Sequence, residues 1–102
     1  AILLPTVMRF NAPAALDKYV DIAKALEVYT PGMTKEEAAD AACTEIENLS
    51  RRVGIPAHLS DLGITEADID ALADQAIADV CTPGNPREVT RDDIVALYKS
   101  IL

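Results

Sequence analysis

A chain of 102 residues is one domain at most, and with 4% aromatics and no Trp its core volume must come from Leu, Ile, Val and Ala in close helix packing. Seventeen acidic against nine basic residues give a net charge of −8, which disfavours nucleic acid and anionic membrane surfaces, because phosphate binding needs clustered Lys and Arg. No apolar run approaches the ~18 residues of a membrane span, and the opening Ala1–Pro5 lacks the basic and hydrophobic regions of a secretory signal.

Ala1–Phe10 is apolar almost all round (Ile2, Leu3, Leu4, Val7, Met8, Phe10), has no clean N-cap and carries Pro5. A helix apolar on every side is normally buried in a larger body. Together with the missing starting Met, this leads to the expectation that the chain is a piece whose first helix has lost its upstream half. Asn11 is expected to cap the next helix, with Pro13 in its first turn. Ala14–Leu26 then places Leu16, Tyr19, Val20, Ala23 and Leu26 on one face. Val28–Met33, with Pro31-Gly32, reads as a turn.

Thr34 opens the longest helix through a Thr-x-x-Glu capping box with Glu37. Ala38, Ala42, Ile46, Leu49 and Val53 mark its inner stripe, and Gly54 is the expected left-handed stop. Ile55–Leu59 breaks the helix, and Leu59–Gly63 is at most a short turn. Thr65 with Asp68 starts another helix, whose inner face is expected to hold Ile69, Leu72, Ala73, Ala76, Ile77 and Val80. Its outer face carries Asp68, Asp70, Asp74 and Asp79, a solvated face rather than a calcium loop. Ala78–Thr90, with Pro83, Gly84 and Pro86, is a stiff loop. Thr90 with Asp93 caps a last helix with Ile94, Leu97, Tyr98 and Ile101 on its buried side. The expected fold is therefore all-α.

Candidate chemistry is sparse. His58 is the only histidine, and one His beside Asp61 is too little for a metal site. Cys43 and Cys81 are far apart, with no Cys-x-x-Cys and no nearby His, which reads as two free thiols in a reducing cytoplasm. Cys81 follows a helix C-terminus, where the dipole disfavours a thiolate, so it is a poor nucleophile. It is left as either a small buried apolar residue or part of a pocket wall. Asn85 precedes a proline and is pushed to extended geometry, and Arg87 is expected to pair with a carboxylate of another helix. Ser60-Asp61-Leu62 lacks the Asp-Ser-Leu order of a phosphopantetheine carrier. A small acidic helical protein-interaction module without catalysis stays open, given the apolar first segment.

The sequence resembles the C-terminal end of the iron-containing (group III) alcohol dehydrogenases. The resemblance is carried by Ala1–Ala12 (AILLPTVMRFNA), Gly54–Ile64 (GIPAHLSDLGI), Ala71-Leu-Ala with Ala76 and Asp79, and Asn85-Pro-Arg followed by Thr90–Ile94. Cys81 and Asp92–Tyr98 make it most similar to the lactaldehyde reductase and 1,3-propanediol dehydrogenase branch. The resemblance implies that residues 1–102 are the C-terminal segment of the helical metal-binding domain of a two-domain dehydrogenase, an antiparallel helical bundle. It also implies a parent enzyme that interconverts short primary alcohols or diols and aldehydes using NAD(P) and Fe²⁺ (or Zn²⁺). In the family one Asp and three His hold the metal, the last His just upstream of Ala1. None of the four matches a residue here, and the glycine-rich cofactor motif is absent, so the segment by itself is expected to be inactive and to bind neither metal nor cofactor. Its implied partners are the rest of its own polypeptide and a small alcohol or aldehyde, within a cytoplasmic homo-oligomer. The role carried to a residue is that of Cys81 as a wall of the substrate pocket.

Overall fold

The computed structural model describes residues 1–102 and contains five α-helices, three short 3₁₀ turns and no strand. Helix α1 is Leu4–Asn11, α2 Leu16–Ala25, α3 Lys35–Arg52, α4 Glu66–Ala78 and α5 Arg91–Ser100. The all-α expectation holds, and each start that the Thr-x-x-acid pattern marked is where a helix begins. The Thr34 hydroxyl accepts the Glu37 N–H at 3.1 Å, and the Glu37 carboxylate accepts the Thr34 N–H at 3.3 Å. Thr90 and Asp93 repeat the box at 3.1 and 2.9 Å. At Thr65 the Asp68 carboxylate takes both the backbone N–H (2.8 Å) and the hydroxyl (3.1 Å). Each box satisfies amide donors that a helix start otherwise leaves free.

Two helix ends share one geometry with different residues. After α3, the Ile55 N–H reaches Ser50 O and the Gly54 N–H reaches Arg51 O, with Gly54 left-handed at φ 81°. After α2, the Val28 N–H reaches Ala23 O and the Glu27 N–H reaches Lys24 O, and here Glu27 stands at φ 61°. Both are the Schellman arrangement, whose left-handed position favours glycine. The Gly54 stop was legible in the sequence; the Glu27 stop breaks the residue preference and was not.

The tightest packing joins α2 to α3. Ala23, Ala38 and Ala42 are fully buried against one another and are covered by Val20, Leu26, Val28 and Met33. A second small cluster, Tyr19, Ala39 and Cys43, is covered by Met8 and Leu16, and the Tyr19 hydroxyl donates to Met8 O at 2.8 Å. Helix α1 lies on α3 through Arg9, whose guanidinium donates to Glu47 (2.7 Å), Asp40 (2.7 Å) and Thr44 (3.1 Å). These bonds, Glu47 first and then Asp40, hold Arg9 well above its ordinary pKa. The other half is the α4–α5 hairpin, with Ile69, Ala73 and Ile94 buried. The connector between the halves is tied to the chain's end, where the Leu59 N–H donates to Ile101 O at 2.7 Å.

The result is a slab of 45 × 30 × 18 Å, less than two helix diameters of ~10–12 Å thick. Its radius of gyration of 14.6 Å exceeds the ~13 Å of a compact chain of this length. Few side chains are buried, so several inward assignments fail. Val80 is 91% exposed because it falls beyond the end of α4, where the helical period no longer applies; Ile77 is also exposed. Leu49 and Val53 of the α3 stripe reach the surface, because α2 covers only the first half of that longer helix. The apolar α1 is not enclosed within the chain: Leu4 is 51% exposed, and only Asn11 is buried. Asn11 does not cap α2; the chain passes through a 3₁₀ turn at Ala12–Ala14 that takes Pro13, and α2 starts at Leu16 without a side-chain cap.

Candidate functional site

The segment after α4 is held by its own polar groups. The Asp79 carboxylate accepts the Cys81 N–H at 2.7 Å, and the Thr82 hydroxyl donates to Ala76 O at 2.6 Å, satisfying a carbonyl in the last turn of α4. Thr82–Gly84 forms a 3₁₀ turn and Asn85 is extended at φ −62°, ψ 138°, as expected for a residue before Pro86. An open cavity of about 600 Å³ lies between this segment, α1 and α5. Leu3, Val7 and Phe10 form one side, Cys81 and Asn85 another, and Leu97 belongs to the floor. Nine of the 14 lining residues are hydrophobic, and Oδ1 of Asp79, the Thr82 hydroxyl and the Asn85 amide are engaged within the protein. Such a wall suits the carbon skeleton of a small ligand rather than a charged one.

Cys81 is an exposed, unpaired thiol on this wall. It is not a buried core residue; that description belongs to Cys43, whose thiol burial pushes above its ordinary range, while the charge of Arg9 acts in the opposite sense. The expected partner of Arg87 is also corrected. Its guanidinium donates to Phe10 O at 2.8 Å and stacks 4.0 Å from the Phe10 ring centre, so it pairs with a helix end and an aromatic face rather than with a carboxylate. Sequence reading missed both partners of this loop, Phe10 and Asn11. The Asn11 and Asn85 amides bond each other reciprocally at 2.8 and 2.7 Å across 74 residues, and no local pattern announces such a pairing.

Elsewhere the aspartates of α4 are not simply solvated. Asp74 and Asp70 receive the Arg91 guanidinium at 2.6 and 3.2 Å, which ties α4 to α5. His58 is exposed at the start of a 3₁₀ turn.

A family model described as "Fe-containing alcohol dehydrogenase family, C-terminal" matches residues 1–102. The chain belongs to this family. It is 55% identical over 98 residues to lactaldehyde reductase of Escherichia coli (strain K12), covering 96% of this chain and 26% of that protein. It is 38% identical over 99 residues to 1,3-propanediol dehydrogenase of Klebsiella pneumoniae, covering 97% and 26%. Among solved structures, a 1,3-propanediol oxidoreductase superposes with a TM-score of 0.95 at 36% identity, over 99% of this chain and 26% of that one. An alcohol dehydrogenase from Oenococcus oeni gives 0.93 at 30% identity, with the same coverage. The chain thus spans about a quarter of the length of these relatives.

The family's name calls for iron, and the residues present do not furnish its ligands: no three His, Cys, Asp or Glu side chains converge anywhere in the chain. A nucleotide-binding strand–turn–helix unit is likewise outside what these helices form. What the chain offers is an apolar wall beside a fixed loop. No helix is long and apolar enough to cross a membrane.

Proposed function

We propose that residues 1–102 are the C-terminal helical segment of the metal-binding domain of an NAD(P)-dependent, metal-dependent alcohol dehydrogenase. The parent interconverts short primary alcohols or diols and aldehydes by hydride transfer to and from the nicotinamide. The observation that carries the reading is the family match over residues 1–102, joined to 55% identity with a lactaldehyde reductase of which the chain spans only 26%. In this reading the metal ligands and the nucleotide-binding domain lie upstream in the same polypeptide, and the segment alone is inactive. The slab shape and the exposed Leu4 and Val80 fit a part packed against more of its own chain. A cytoplasmic, homo-oligomeric parent belongs to the same proposal, and the two unpaired thiols fit a reducing compartment.

Within that enzyme the role of this chain is to shape the cleft. Phe10, Leu97 and Cys81 present carbon and sulfur to the substrate's chain and keep water from it, which strengthens electrostatic effects at the reacting carbon. Cys81 acts as wall rather than nucleophile: no base stands beside it, and Asp79 is already bound to its backbone N–H.

A bulky replacement, Cys81→Phe in the full-length enzyme, is expected to raise KM or lower kcat for short diols while leaving the unfolding midpoint in place. An unchanged kinetic profile across several alcohols would remove Cys81 from the cleft. Separately, the isolated chain with a short diol, Fe²⁺ and NAD⁺ is expected to show no turnover; turnover at the rate of the intact enzyme would overturn the reading.

A further inference from the structure

We infer that Asn11, Asn85 and Arg87 form a latch that fixes how far the Cys81 turn stands from α1, which makes Asn85 a positioning residue for the size of alcohol the cleft admits. The inference rests on the cleft reading above.

The latch is a closed circuit of bonds. Asn85 exchanges both amide bonds with Asn11, at 2.7 and 2.8 Å, and its Nδ2 also donates to Arg87 O at 2.6 Å. Arg87 returns to α1 through Phe10 O at 2.8 Å and the face of the Phe10 ring. Phe10 O is among the last carbonyls of α1, which have no partner within the helix and form the negative end of its dipole, so a cation is favoured there. Reciprocal amide pairing demands one carbonyl and one NH₂ group from each side in a common plane, a narrower requirement than a single bond sets. Asn11 is the one buried polar residue of the chain, so separating the pair would leave an amide without partners and away from water.

The circuit reaches Cys81 through a short, stiff path. The Gly84 N–H donates to Cys81 O at 3.0 Å and the Asn85 N–H to Thr82 O at 3.1 Å, so the turn moves as a unit with Asn85. Pro86 fixes the other side of Asn85. Phe10, Asn85 and Cys81 all line the same cavity. The latch therefore ties two of its walls together, and releasing it changes the width between them.

The test uses the full-length enzyme with Asn11→Ala, Asn85→Ala and the double variant. The readouts are the alkylation rate of Cys81, followed by iodoacetamide labelling and peptide mapping, and the ratio of KM values for pentanol and ethanol. Each single variant is expected to change the labelling rate several-fold and to shift the KM ratio by roughly tenfold, about what one methylene's worth of pocket space is worth, with kcat shifting less. The double variant is expected to match the single ones, since either loss opens the same pair. Labelling and KM ratio at their original values, or effects that add in the double variant, overturn the latch. If the alanine variants do not fold, Arg87→Lys keeps the charge but not the planar stacking and is expected to give a smaller shift of both readouts in the same direction; no shift there overturns the latch equally. A third result separates the underlying reading. If the Asn variants alter labelling but neither they nor Cys81→Phe alter the KM ratio, the cavity is not the substrate cleft, and the proposed role in substrate size falls with it.

Discussion

Glu27 is the one non-glycine residue with positive φ, and replacing it should stabilise the protein. A left-handed conformation costs an L-residue about 1–2 kcal/mol, of which glycine's greater freedom in the unfolded chain takes back roughly 0.5–1 kcal/mol. Glu27 also places a negative charge just past the C-terminus of α2, where removing it is worth about 0.3–1 kcal/mol. The side chain is exposed and makes no hydrogen bond or ion pair, so nothing is lost in exchange. Glu27→Gly is therefore expected to gain about 1 kcal/mol, a rise of roughly 4–8 °C in melting temperature for a domain of this size. Glu27→Ala isolates the charge part, because alanine keeps the strain, and should gain only that part, about 0.3–1 kcal/mol. Gly54 supplies the opposite experiment: a Cβ there meets nothing within 4 Å, so Gly54→Ala imposes the strain less the gain from a stiffer unfolded chain and should cost about 1 kcal/mol. Thermal unfolding followed by circular dichroism reads all three. A Glu27→Gly variant less stable than Glu27→Ala would show that glycine's unfolded-state freedom outweighs any strain at this position, and the reasoning would fail.

Ala42→Leu is expected to destabilise by about 1–3 kcal/mol, since Ala23, Ala38 and Ala42 are fully buried and leave no room for three more carbons; a variant as stable as the parent in denaturant titration would contradict the tight α2–α3 seam. Stability should also fall in alkali. Burial raises the Cys43 thiol and the Tyr19 hydroxyl above their ordinary values, so the folded state holds these protons more tightly than the unfolded one. Their contribution is whole below pH ~9 and is lost as pH rises through the raised folded values. A midpoint of unfolding that stays flat across that alkaline window would rule this out.

The parts of the fold that depend on neighbours in sequence were readable: Thr34, Thr65 and Thr90 with an acid three residues on, Gly54 at a stop, and Asn85 before a proline. Each is decided by a few backbone groups within one turn. What escaped depends on how much of each helix another helix covers. The α3 stripe continues to Val53, but α2 is shorter, so the periodicity outlasts the partner that would bury it. Val80 failed for a different reason, since α4 stops at Ala78 and the chain turns extended. At the candidate site only family resemblance singled out Cys81, whose side chain lines a cavity; its role toward substrate is the proposal made above. The Asn11–Asn85 pair and the Arg87–Phe10 stack join residues more than 70 positions apart, and one sequence holds no trace of such pairings.

Arg9 touches Asp40, Thr44 and Glu47, which stand at i, i+4 and i+7 on α3 and so form one row along that helix. Exposed ion pairs of this kind contribute little to stability. Their geometric content is larger. Sliding α1 along α3 by a single turn, about 5.4 Å, would carry the guanidinium away from at least one end of the row. Where Met8 of α1 packs, α3 presents the small side chains of Ala39 and Cys43, and the three-point polar contact adds a register that such a surface defines less sharply. Arg9 thus works as an alignment mark for α1, and through α1 it sets where Phe10 and Asn11 meet the loop across from them.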